Sequence, residues 1–441
     1  MSRPGPTAAP ADPAALQVLL RQCVHCGLCL GTCATYLATG DETLSPRGRL
    51  LLLGEALAAA GTGDPGAWPR CLPPDTRRAL ELCLGCRACA TACPSGVPFA
   101  LFEAALAAAV RPDPPLLRLV RPERLPWLRR LGGAAESVLR RLLGTRWRER
   151  LARWPLGGAR LARLLGSRPA APDDRALAAL LDRRTGLRTA AWNGPAPVPA
   201  RRRAVLFRGC ADAGLLPAAQ ARLVRLLRAA GFAVTAPADQ VCCGALDAHG
   251  GRPAAAQRYR RRNLAALATA CGDGAPLVVQ AAGCGLELRH YPEPVGSAVS
   301  DAVALLADAD LPPLRRVPLT VAIHDPCHAR HGQSLVAAPR RLLGRLPGVT
   351  VVEPADPEVC CGSGGPYALL HPVFSAVMGR RKARELAALG ADVVVTSNPG
   401  CLGQLRDALA REAPELPVIL LTDLVWYAAL PEAEEADGSG S

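Results

Sequence analysis

Cys23-Val-His-Cys26-Gly27-Leu-Cys29-Leu-Gly-Thr-Cys33 and Cys83-Leu-Gly85-Cys86-Arg-Ala-Cys89-Ala-Thr-Ala-Cys93-Pro94 carry the same spacing, C-x2-C-x2-C-x3-C, twice. Three thiolates two residues apart sit on a tight loop that can wrap three corners of one [4Fe–4S] cubane, while the fourth lies a helical turn further on and points away, to the other cluster. The expected crossing gives one cluster bound by Cys23, Cys26, Cys29 and Cys93, and a second bound by Cys83, Cys86, Cys89 and Cys33. A structural zinc site also uses C-x2-C knuckles, but a tetrahedral ion has no use for the third and fourth cysteines repeated in both runs. Gly27 and Gly85 fit the same reading, because a residue without Cβ lets backbone N–H groups approach sulfur.

The second run ends Cys93-Pro94 and the first Cys33-Ala34. Ala34 restores an N–H that proline lacks, and that donor is expected to ease reduction of the cluster held by Cys33.

The 441 residues, 50% of them hydrophobic, allow two to four domains with sizeable cores. No stretch of signal-peptide type opens the chain and no run of eighteen uncharged apolar residues occurs, so neither export nor a membrane span is expected. Eighteen cysteines in such a chain indicate metal or redox chemistry in a reducing, cytoplasmic compartment. The formal charge of +14 comes almost wholly from arginine spread over helical stretches. Without a basic cluster interleaved with aromatics it reads as a solvated or docking face, and nucleic acid is not an expected partner.

In chain order, residues 1–13 read as a disordered tail, 15–22 as a short helix, 36–49 as a loop and the apolar residues to about 60 as a helix. A further helix from Arg77 delivers the second run and another follows from Pro98 to about Val110. Helices around both runs, with about fifty residues between them, point to an all-helical two-cluster ferredoxin domain. Gly61-Thr-Gly63-Asp-Pro-Gly66 matches G-x-G-x-x-G literally, but it follows a helix and contains Pro65, so it reads as a surface loop. Residues 111–200 form a basic connector holding Trp127, Trp147, Trp154 and Trp192. Its leucines and arginines alternate at helical spacing, which suits packing onto the flanking domains or peripheral contact with acidic lipid on the cytoplasmic face of the inner membrane.

Beyond residue 200 the chain repeats itself. One copy runs from a strand at 204–207 into Cys210, then a strand at 232–237 followed by Cys242-Cys243-Gly244, then a strand into Gly283-Cys284-Gly285; the other runs from 319–323 into His324-Asp-Pro-Cys327-His328, then Cys360-Cys361-Gly362, then 392–396 into Cys401. The spacings, C-x31-CC-x40-C and C-x32-CC-x39-C, nearly superimpose. Alternating strands and helices make each copy a parallel α/β unit, and function in such sheets gathers at the carboxyl ends of strands, where Cys210, Cys284, Cys327 and Cys401 fall. With the pairs Cys242-Cys243 and Cys360-Cys361, held on irregular loops that end in glycine, they form a candidate third metal centre in one cleft shared by both copies, iron–sulfur in preference to zinc. Cys71 and Cys271 read as buried small hydrophobes.

On these residues the chain resembles the iron–sulfur subunits of glycolate oxidase, and more broadly proteins that join a two-cluster ferredoxin domain to two cysteine-rich CCG domains, including subunits of heterodisulfide reductase and anaerobic glycerol-3-phosphate dehydrogenase. The likeness runs from about residue 20 to 430 and includes Gly40-Asp-Glu, Pro46-Arg-Gly-Arg49, Cys93-Pro-Ser-Gly96, Cys360-Cys-Gly-Ser363, Tyr367-Ala-Leu and His371-Pro372. It implies an electron-transfer subunit beside a separate FAD subunit that oxidises a 2-hydroxy acid, with electrons going towards a quinone-linked acceptor. The absence of a credible dinucleotide fingerprint here agrees with a flavin on another chain. Heterodisulfide reductase relatives carry C-x-x-C where this chain has Cys284-Gly-Leu-Glu287 and Cys401-Leu-Gly-Gln404. Eight thiols remain, with His324 and His328 as candidate extra ligands. The alternative function is a heterodisulfide-reductase-like or glycerol-3-phosphate dehydrogenase subunit in which the CCG metal centre is itself catalytic.

The expected architecture is α + α/β: tail 1–13, helical ferredoxin domain 14–110, connector 111–200, first CCG domain 201–312, second CCG domain 313–430 and tail 431–441.

Overall fold

The computed structural model describes residues 13–60, 72–99, 103, 173–189, 194–249 and 252–432. Its N-terminal part is built from the helices Pro13–Leu20, Ala34–Thr39, Pro46–Ala60, Pro74–Glu81 and Ala88–Ala92 with a 3-10 turn at Glu42–Leu44, and among the described residues of 13–99 there is no strand. The third helix begins at Pro46, not at residue 50 as the loop reading expected. Proline suits the first helical turn, where its N–H would have no partner, and Ser45 Oγ accepts the Gly48 N–H at 3.0 Å. Gly48 must be glycine: a Cβ there would stand 1.9 Å from the Glu42 carbonyl. That close approach folds Glu42–Leu44 back onto the helix that carries Arg47 and Arg49. Leu16, Leu53, Leu57, Leu80 and Phe99 form the core beneath the cysteine loops.

Each repeat carries a four-stranded parallel sheet, ordered β2-β1-β3-β4 and β6-β5-β7-β8. In the first, β1 is Arg202–Leu206, β2 Phe232–Thr235, β3 Leu277–Val279 and β4 Val299–Asp301; in the second, β5 is Leu319–His324, β6 Val349–Val352, β7 Val393–Thr396 and β8 Val418–Leu420. The strands β4, β6 and β8 add to those read from the sequence. Strand order reverses direction between β1 and β3, and between β5 and β7, so each sheet has its switch point where loops diverge and leave a crevice.

The two repeats share a core. The buried helix Leu421–Ala428 packs against Pro217–Ala229 of the first repeat, and Leu223, Leu226, Val303, Val321, Leu424 and Trp426 belong to one apolar cluster. The connector helix Asp174–Thr185 joins that cluster through Leu177 and Leu181. Fully buried Arg222 ties the three segments together, reaching Asp423 at 2.8 Å and Asp174 at 2.9 Å. This part of the connector packs on both repeats; the basic amphipathic segments at 137–168, to which the two readings applied, lie outside the described residues.

The four connector tryptophans, most of the helix expected over 98–110, and the loop 61–66 lie outside the described residues, as do the tails apart from Pro13, which starts a helix, and Pro431 and Glu432, of which Glu432 bridges to Thr189. No helix among the described residues is long and apolar enough to cross a membrane.

Candidate metal centres

Cys23, Cys26 and Cys29 line one cavity together with Cys93, at the far end of the other run; Cys83, Cys86 and Cys89 line a second with Cys33. The grouping is the crossed one that the spacing dictates. Loop geometry explains it: Gly27 and Gly85 take positive φ, +81° and +67°, as does His25 at +55°, which curls each three-cysteine loop around its cavity. Cys33 and Cys93 each stand at a helix end, Cys33 before Ala34–Thr39 and Cys93 after Ala88–Ala92.

The two cavities differ in their surroundings. Cys26 is exposed, and its neighbours Val24 and Leu28 are 67% and 62% exposed. Around the second cavity burial pushes the Cys89 and Cys86 thiols well up. The second repeat packs against the outside of its wall: Leu84 and Cys86 pack with Cys327, Cys360 and Tyr367, and His328 Nε2 donates to the Gly85 carbonyl at 3.1 Å. The partners of Cys33 Sγ include Thr35 Oγ1 at 3.2 Å and the Arg49 guanidinium, whose Nη1 donates to the sulfur at 3.9 Å.

In the first repeat Cys210 follows β1, Cys284 lies in the helix after β3, and Cys242-Cys243 occupies the loop after β2; the second repeats this with Cys327, Cys401 and Cys360-Cys361. Sulfur contacts run within each set: Cys210 to Cys242 at 3.8 Å, Cys243 to Cys284 at 3.1 Å, Cys327 to Cys360 at 3.9 Å. Both pair loops are irregular and end on left-handed glycines, Gly244 at φ +88° and Gly362 at +82°, whose N–H groups lie 3.4 Å from Cys242 and Cys360 sulfur. The first set sits in one apolar cluster and the second is divided between two others, and the helices Cys210–Leu215 and Pro399–Glu412, which bear Cys210 and Cys401, pack against each other across the two repeats.

Glu287 and Gln404, three residues after Cys284 and Cys401, are otherwise engaged. Glu287 pairs with Arg260 at 3.3 Å, and Gln404 Nε2 donates to the Cys361 and Ser375 carbonyls at 3.1 and 2.8 Å. His324 bonds Thr396 across β5 and β7 at 3.4 Å, and His328 turns to the ferredoxin domain; neither contact is to sulfur. Asp212 was not singled out from the sequence. It is fully buried two residues after Cys210, both carboxyl oxygens lack partners among the described residues, and burial pushes it up to about 7. The signal was an acid at a position where the second repeat has Ala329.

Among the described residues no three His, Cys, Asp or Glu side chains close on a single-ion position. Four thiols ringing a cavity instead suit a group with several metal corners. The 4Fe-4S dicluster domain model matches residues 19–97, and the cysteine-rich CCG domain model matches twice, at 204–289 and 321–406. The chain is 30% identical to the probable glycolate oxidase iron-sulfur subunit of Bacillus subtilis, over 93% of this chain and 94% of that one, and 30% identical to the glycolate oxidase iron-sulfur subunit of Escherichia coli, over 88% and 90%. It belongs to the glycolate oxidase iron–sulfur subunit family. A likeness of 28% to a subunit of the anaerobic glycerol-3-phosphate dehydrogenase of E. coli covers 49% of this chain and 57% of that one. Membership makes the chain an iron–sulfur, electron-transfer subunit of an oxidoreductase, and the twofold cysteine-rich match coincides with the two sheets.

Proposed function

We propose that this chain relays electrons within a glycolate (2-hydroxy-acid) dehydrogenase, from FAD on a partner subunit towards a quinone-linked acceptor, and that its helical ferredoxin domain holds two [4Fe–4S] clusters, one on Cys23, Cys26, Cys29 and Cys93 and the other on Cys83, Cys86, Cys89 and Cys33. The observation that carries this is the crossed grouping of eight thiols about two cavities, in a chain whose glycolate oxidase relatives match it nearly end to end. When bound, each cluster takes up and returns one electron. The chain's own residues determine access: the exposed loop Val24–Leu28 leaves the first site open to a partner, and the second repeat screens the other from water. The alternative, in which the CCG half is catalytic for another dehydrogenase, rests on a likeness to half the chain and is the weaker reading.

Cys327, Cys360, Cys361 and Cys401 are the residues proposed to hold a third iron–sulfur centre beside Cys86, with Cys210, Cys242, Cys243 and Cys284 as the corresponding set in the first repeat. Association with acidic membranes through the basic connector is part of the same proposal. It predicts sedimentation with anionic vesicles at low salt and release at high salt; no sedimentation at any salt removes it.

Anaerobically purified chain should carry at least about eight iron atoms, give reduced EPR signals from two interacting clusters, and oxidise no glycolate by itself. Dye-linked glycolate oxidation by the isolated chain would overturn the relay reading.

A further inference from the structure

The segment Pro46-Arg47-Gly48-Arg49 sends one guanidinium to each thiol cavity, on two very different terms. Arg47 lines the first cavity, where Nη1 donates to the His25 carbonyl at 2.9 Å and Nε to Glu42 at 2.7 Å. It is partly exposed, and Glu42 cancels its charge. Arg49 lines the second cavity and is 2% exposed. Its Nε donates to the Ala79 carbonyl at 2.7 Å, Nη2 to Thr35 Oγ1 at 3.1 Å, and Nη1 faces Cys33 sulfur at 3.9 Å. Among the described residues no carboxylate is within ion-pair distance of it; Asp41, which feels its charge, is solvated and bonded to Thr43. A buried cation without a carboxylate is costly unless something anionic sits beside it. The donor set of the second site supplies that anion.

We infer that Arg49 makes the second site the better electron acceptor of the two, so that an electron arriving at the exposed first site settles at the buried second one. Burial alone would impose the opposite order, since reduction adds negative charge and a low-dielectric setting disfavours the more charged form. Arg49 reverses that order. Its charge acts at contact distance from one ligand sulfur with little screening, whereas Arg47 is neutralised by Glu42 and screened by water. The inference rests on the two-cluster reading given above and adds the direction of transfer within it.

The test is a redox titration of the full chain followed by EPR, with an aqueous dysprosium complex to mark the exposed site by its faster relaxation. In the native protein the signal that appears at higher potential should be the one insensitive to dysprosium; the reverse order overturns the inference without any variant. Arg49→Gln should lower the ratio of reduced to oxidised cluster for the insensitive signal at least tenfold at fixed potential, about 59 mV for one electron, while Arg49→Lys, which keeps the charge, should restore most of it and Arg47→Gln should move either signal little. Unmoved potentials in an iron-replete Arg49→Gln protein would assign Arg49 a structural role. Native protein lacking two EPR-active clusters would instead refute the underlying reading, an outcome distinct from both.

Discussion

In the first cysteine-rich repeat the loop bearing the cysteine pair is held by Asn263, which accepts from the Val241 N–H at 2.8 Å and donates to the Cys242 carbonyl at 2.9 Å, while Tyr291 donates to the Cys243 carbonyl at 2.8 Å. In the second, Gln404 and Ser375 perform the task from other positions, Ser375 Oγ donating to the Gly362 carbonyl at 2.8 Å. The strand order and sulfur framework are the same, but the fastening differs. The surroundings differ more. Cys327 and Cys360 pack against Cys86 and Leu84 of the ferredoxin domain, whereas the first repeat offers that junction Gly283 and the ring of His249, whose centroid lies 4.9 Å from that of His328. Duplication supplied two similar thiol frameworks, and the domain that docked against one of them made the pair unequal.

The largest effect expected from this inequality is on turnover. With the flavin partner and an acceptor present, the double substitution Cys360→Ser and Cys361→Ser should bring electron transfer close to background while the two ferredoxin EPR signals persist. Cys242→Ser with Cys243→Ser should leave most of it. Equal losses in the two double variants would break the comparison.

A smaller effect concerns fastening. Gln404→Leu removes two buried amide bonds and leaves the Cys361 and Ser375 carbonyls without that donor, which should cost roughly 2–4 kcal/mol in denaturant unfolding of apoprotein. Asn263→Leu should cost about as much in the first repeat. A neutral result at one position alone would show that its loop is fixed by something else.

The smallest effect separates the repeats by pH. Asp301 caps the helix Ala302–Ala307, accepting from Val303 and Ala304, whereas the matching cap in the second repeat is Leu420, with no side-chain bond. Burial pushes Asp301 up to about 6, against about 3.9 in an unfolded chain. The native state therefore holds this proton more firmly, so the associated stability is complete below about pH 3.9 and is lost as the pH rises through about 6. Asp301→Asn should abolish a dependence worth roughly 3 kcal/mol; identical pH profiles for the variant and native protein would contradict the assignment.

Much of this was legible in the residues. The C-x2-C-x2-C-x3-C runs give the crossed cavities, because that spacing leaves the fourth thiol out of reach of its own loop. The superimposable repeats give two parallel sheets with cysteines at their switch points. What stayed hidden is local and short. Strands β4 and β8 are three residues each, and β8 is buried throughout, so it shows no alternation to mark a strand. The Cys210–Leu215 helix reaches the opposite repeat, a long-range contact with no periodic signature. Arg49 was visible in a motif, but its burial without a carboxylate partner is a property of the packed domain.

The helix Leu421–Ala428 gives the molecule an order of assembly. Its side chains complete the hydrophobic interior of a repeat that begins two hundred residues earlier, packing on Pro217–Ala229 and Ala302–Ala307. Domains ordinarily fold one after another as they leave the ribosome. Here the first repeat lacks part of its interior until the helix Leu421–Ala428 has been translated. A nascent polypeptide stalled before Leu421 would present an open apolar surface in both halves at once.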